Sequence, residues 1–271
     1  MPKTMNCVWI LLAFVIGVCR AKYNITSNMV VELWNGDNPF NYANNSYIDH
    51  GYPHTNIQIE IIDAVLAHAK PTLWVEAGSM LGGSVIKTAE RIKLKGFDVS
   101  IISIDPFTGD VNMLMWEHGA FLDKNWRFLR NENGRPRIYD RFIANIREAG
   151  HGDMVVPVCA SAIVGLRFLK NMVELKRLET LPEVIYLDSA HEADETFLEL
   201  LVAWHSLKSN GILFGDDWSW HTVRFDVLKF AQTVQNEISA KTLETMKSEL
   251  PTAVLEGGVL VVKGQWILAK Q

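Results

Sequence analysis

Short, nearly continuous apolar runs alternate along the chain with longer stretches whose apolar residues recur at helical spacing. Five runs carry the pattern: residues 72–78 (TLWVEAG), 99–105 (VSIISID), 154–160 (MVVPVCA), 183–188 (EVIYLD) and 211–217 (GILFGDD). Runs that are apolar on both alternate positions predict strands covered on both faces. Helical patterns lie at 57–69 (IQIEIIDAVLAHA) and at about 84–95, 138–149, 161–178 and 193–208. This alternation predicts an α/β, Rossmann-like fold: a mostly parallel seven-stranded sheet with helices on both faces. The last segment, 253–270 (AVLEGGVLVVKGQWILAK), reads as a terminal antiparallel hairpin turned at glycine.

Two segments stand outside the alternation. Residues 106–137 are long for a connection, and their Met, Trp and Phe content predicts a partly helical lid over the site rather than a linker. The N-terminus joins Lys3 to an apolar run from Cys7 to Cys19 and then to Ala21, the layout of a secretory signal peptide over 1–21. A signal anchor is the alternative, but the run is short for a span. A polar arm over 22–52, read as extended, and a main domain over 53–271 complete the division. Sequons at Asn24 and Asn44 agree with entry into the secretory pathway.

Composition changes little. Without residues 1–21 the chain keeps 24 basic and 31 acidic side chains, a net charge of −7, which gives no footprint for nucleic acid. Cys159 is then the one cysteine left, read as a small core residue of its strand rather than a nucleophile.

Ligands of an open parallel sheet bind beyond the carboxyl ends of its strands, and the chemistry collects there. The first strand ends in EAGSMLGGS, with Glu76, Gly78, Ser79, Gly82 and Gly83. Glu76 adds negative charge where a pyrophosphate would lie, so the turn suits a cationic or zwitterionic ligand. Asp105 ends the second strand, placed for ribose hydroxyls, and Ser161 follows the third, placed for an adenine edge. Asp188 ends the fourth strand, and Asp216 and Asp217 end the fifth. Three carboxylates at one sheet end suit a hard divalent cation such as magnesium. The alternative is helix capping by Asp188, Asp217 or Ser219. His191 is a candidate base, with Asp188 its rival. Trp218 and Trp220 fit either a substrate wall or the core, His221 a pocket or the surface, and Arg135, Arg137 and Arg141 a solvated face or an acidic substrate.

Taken in order, VEAGSMLGGS, IDPFTGD, YLDSAHEADET and GILFGDDW resemble the class I S-adenosylmethionine-dependent methyltransferases, and within them the small metal-dependent O-methyltransferases acting on sugars and macrolides. The resemblance spans roughly residues 55–235. It implies that Glu76, Gly78 and Asp105 contact the cofactor, that Asp188, Asp216 and Asp217 hold the metal, and that a small hydroxylated molecule is the acceptor. Some members of the family use an aspartate as base. A secreted, non-catalytic binding protein of the same fold is the competing reading, motivated by the signal-like N-terminus.

Overall fold

The computed structural model describes residues 33–49, 55–109, 129 and 131–271. The signal-like segment, Asn24 and most of the expected lid lie outside these residues. Five helix–strand alternations follow the expected order: α1 (Ile59–Ala69), β1 (Leu73–Ala77), α2 (Gly83–Lys95), β2 (Ser100–Asp105), α3 (Ile138–Glu148), β3 (Val155–Cys159), α4 (Ala162–Glu174), β4 (Val184–Leu187), α5 (Glu195–Ser206) and β5 (Ile212–Gly215). Helices α6 (His221–Thr233) and α7 (Ala240–Glu249) and strands β6 (Val254–Glu256), β7 (Val259–Val262) and β8 (Gln265–Ala269) complete the order.

The strands form one sheet of order β3-β2-β1-β4-β5-β8-β7-β6. The five strands β1–β5 are parallel, as expected. The C-terminal part differs from the expected single hairpin. It forms three antiparallel strands joined by two two-residue turns, and the sheet therefore has eight strands. Both turns, Gly257-Gly258 and Lys263-Gly264, place two consecutive residues at positive φ, the twist that a tight hairpin requires.

β1 and β4 are neighbours, yet β2 and β3 extend to one side and β5 to the other. The order reverses between β1 and β4, which opens a crevice at their carboxyl ends. Right-handed crossovers then set α4 and α5 on one face and α2 and α3 on the other. α6 packs beside α5, and α1 and α7 pack together with α2 on the opposite layer. The core between the layers is dense in aromatics, with Phe214 edge-on to Trp74 at 5.5 Å and 4.7 Å from Tyr186.

At the far end of the sheet, Glu183 accepts from the backbone N–H of Thr72 and of Leu73, both at 3.0 Å, and from Lys208 at 2.8 Å. The arm differs from an extended one. Residues 33–49 contain two 3₁₀ turns, Pro39–Tyr42 and Asn45–Tyr47, each started by an Asn side chain. They dock on α3, where Asp49 pairs with a buried Arg141 and its backbone N–H donates to Asn145 Oδ1 at 3.0 Å. Arg141 is therefore a structural ion-pair partner, not part of a solvated face. Cys159 lies at the carboxyl end of an edge strand and is exposed, not a core residue.

Candidate active site

Where β1 ends, Gly78 has φ +89°, and a Cβ added there would stand 1.9 Å from the backbone oxygen of Asp188. Glycine is required because the turns after β1 and β4 touch, a reason beyond close approach to a ligand. The Asp105 carboxylate ties the adjoining turns: it accepts from the N–H of Met80 at 2.8 Å and of Phe107 at 2.5 Å. Both residues have left-handed φ, +42° and +54°. Non-glycine residues hold such angles only when their surroundings fix them, and this carboxylate does so.

These turns frame a cavity of about 220 Å³ lined by Gly78, Ser79, Gly83, Asp105, Asp188 and His191 among others. A second cavity of about 430 Å³ shares Pro106, Ser189 and His191 with it and extends to Ser161 and Glu199. Of the residues expected at the cofactor, Gly78, Ser79 and Asp105 line the first cavity and Ser161 the second. Gly82 sits behind the first as the start of α2, with φ +88° and its α-carbon backed by Phe142 and Ile146. Glu76 is 0% exposed and lies under the cavity floor. Its Oε1 accepts from Ser84, a residue of the floor, at 2.5 Å.

The acidic end is built from β4 and β5. Asp188, His191 and Asp217 each bring a ligand atom within 4.8 Å of the others. His191 Nε2 and Asp217 Oδ2 are 2.7 Å apart. Asp217 reaches this position with φ +60°, so the chain turns sharply between the paired aspartates. Asp216 stands outside the three-atom group, and its Oδ1 accepts from the Asp217 N–H at 2.9 Å. Capping explains neither Asp188 nor Asp217: Asp194 and Trp220 occupy the N-cap positions of α5 and α6, with no side-chain cap of their own. Burial, reinforced by Asp216 and Asp217, pushes the Asp188 carboxyl up to about 7. Burial likewise raises Asp216 to about 6.

The segment 188–191 is held by hydroxyl groups. Ser189 donates to Glu199 at 2.6 Å, Thr196 to the Ala190 carbonyl at 3.0 Å, and Thr222 to the His191 carbonyl at 2.6 Å. Sequence reading missed Glu199. Its signal was a lone acid on the apolar face of α5, one turn from Thr196 and beside Leu200. The two tryptophans separate: Trp218 is buried, its N–H bonded to the Gly264 carbonyl at 2.9 Å, while Trp220 lies 5.0 Å from the His191 ring. His221 is exposed and stacks on Phe225. From the expected lid, Pro106 and Gly109 line the first cavity and Glu132 and Arg135 bridge in a tight turn; residues 110–128 and 130 lie outside the described ones.

A methyltransferase domain family model matches residues 75–218. Among solved structures, an O-methyltransferase from Bacillus cereus in complex with SAH is similar at 12% identity and a TM-score of 0.49, over 90% of this chain and 96% of that one. The O-methyltransferase NovP is similar at 13% identity and a TM-score of 0.49, over 91% and 97%. No protein of curated function matches. The model's span takes in more than half of the 271 residues, from the glycine turn after β1 to the acidic pair after β5, and the chain accordingly belongs to the methyltransferase domain family, as an S-adenosylmethionine-dependent methyltransferase.

Proposed function

We propose that the chain transfers a methyl group from S-adenosylmethionine to a hydroxyl oxygen of a small molecule, with a divalent cation, magnesium by preference, at Asp188 and Asp217. The observation that carries this reading is the meeting of Asp188, His191 and Asp217 beside the cavity that the glycine turn lines. The donor set fits such an ion. Two carboxylates converge beside the His191 imidazole, and Asp188 is half-buried where a negative charge needs a compensating positive one. Asp216 supports the reading as an outer carboxylate that fixes the Asp217 backbone. When bound, the cation acidifies an adjacent hydroxyl.

The chain's own residues do the rest. The two cavities hold cofactor and acceptor side by side, and much of the acceleration comes from that positioning. His191 takes the hydroxyl proton, and the carboxylate of Asp217 stabilises the imidazolium that forms. Thr222 and Thr196 hold the backbone of this segment so that the ring keeps its place. Asp188, the rival base, is better used as a ligand, since Tyr186 and its acidic neighbours already surround it.

Calorimetry of the purified chain with S-adenosylmethionine, with and without magnesium, tests the reading, followed by methyl transfer to a panel of hydroxylated acceptors. Binding and metal-dependent turnover are expected, and the absence of any cofactor heat would overturn it. Residues 1–21 carry the further proposal that this activity resides in the secretory pathway. An N-terminus at Lys22 in protein recovered from that pathway tests this.

A further inference from the structure

Beneath the glycine turn lies a group of buried oxygens that the methyl-transfer reading does not use. Glu76 is fully buried in β1, and its Oε2 has no hydrogen-bond partner among the described residues. The same holds for Ser103 Oγ, on the β2 residue in register with Glu76, and for Thr88 Oγ1 and Ser79 Oγ. One contact ties the carboxyl to the cavity above: the Ser84 hydroxyl donates to Oε1, and Ser84 lines the cavity floor. Hydroxyl contacts alone do not fix the charge of a buried carboxyl, so its ionisation follows the charge of its surroundings.

We infer that Glu76 reads positive charge in the cavity: it is neutral in the empty protein and ionises when a cationic ligand enters, releasing its proton to solvent. The inference rests on the cofactor reading above, since S-adenosylmethionine is the cation expected there. The O–H bond of the Glu76 carboxyl breaks, the electron pair stays on the carboxylate, and the proton passes to the buffer. The charged and titratable groups that face Glu76 are Asp105 from β2 and Asp188 and Tyr186 from β4; from α2 only the Ser84 hydroxyl does. The carboxylates are of like charge and favour the protonated form. Burial is the largest cause; the Ser84 and Ser79 hydroxyls oppose it, Asp188 and Asp105 add to it, and the balance pushes Glu76 up to about 8. A ligand cation is the missing opposite charge.

Titration calorimetry of S-adenosylmethionine near pH 7, in two buffers of different ionisation enthalpy, reads the proton directly. About one proton is expected to leave per ligand bound in the wild-type chain and none in Glu76→Gln. In the wild type the affinity rises by up to about tenfold per pH unit below pH 8 and levels off above it. If Glu76→Gln does not fold, infrared difference spectra of the wild type serve instead, since ligand binding should convert one protonated-carboxyl band into a carboxylate band. Equal proton release in Glu76→Gln, or difference spectra in which no protonated-carboxyl band is lost on binding, overturns the inference. Cofactor heat without proton release overturns it while leaving the functional reading intact; no cofactor heat at all overturns both.

Discussion

The paired aspartates show how far single residues were legible. Asp188, Asp216 and Asp217 announce an acidic sheet end because carboxylates at strand ends are costly to bury. Which of the pair faces His191 was not legible, because it depends on the left-handed turn at Asp217. Glu199 was hidden for a related reason: its partner Ser189 is ten residues away and meets it only once the segment after β4 folds back on α5. At this scale Asp217→Asn is expected to abolish metal-stimulated turnover while the fold persists, checked by activity against circular dichroism. His191→Gln is expected to lower kcat by about 10²–10⁴ with a smaller change in KM, the range for losing a positioned base. Gly78→Ala meets both a positive φ and the backbone of Asp188. A loss of more than about 2 kcal/mol is expected in chemical denaturation, from backbone strain and collision together.

Among the elements, α6 does more than cover the sheet. Asp226 accepts from the Phe197 N–H at 3.2 Å, so the open N-terminus of α5 is capped from another helix. Thr222, one turn earlier on α6, holds the His191 carbonyl, and Lys229 pairs with Asp194 at 3.0 Å. Asp194 occupies the N-cap position with φ +66° but makes no side-chain cap of its own. A cap supplied from 29 residues away leaves no local pattern to read. The elements themselves were legible, because apolar runs and helical spacing record burial directly. The exceptions were α7, which the sequence reading did not place, and β6, three partly exposed residues too few to show a period. Asp226→Ala is expected to destabilise by about 1–2 kcal/mol, as the loss of a helix cap does. Hydrogen exchange should show faster opening confined to the start of α5 and the segment 189–194.

Across the whole molecule, buried carboxyls of opposite tendency set the response to pH. For Glu183, burial alone would raise the carboxyl, but Lys208 and the amides of Leu73 and Thr72 hold it below its ordinary value. Its contribution is present above about 4.5 and is lost as the pH falls through the folded value. Glu76 and Glu199 are pushed up, to about 8 and about 7, chiefly by burial. The folded state keeps protons there that the unfolded chain has released, so stability declines as the pH rises from about 4.5 towards those values. The melting temperature of the ligand-free protein is therefore expected to fall on both sides of a mildly acidic optimum. Glu183→Gln should flatten the acid limb, and Glu76→Gln with Glu199→Gln the alkaline one. The order of the sheet has a consequence for biosynthesis. β8 comes after the other seven strands in the chain but lies inside the sheet, between β5 and β7. Trp266 on β8 packs against Gly215 and donates to the Asp216 carbonyl at 3.0 Å. Until residues 265–269 have left the ribosome, β5 keeps an unpaired edge and the acidic turn lacks its brace. A nascent chain stalled before Trp266 thus presents an open strand to chaperones and lacks a finished catalytic centre.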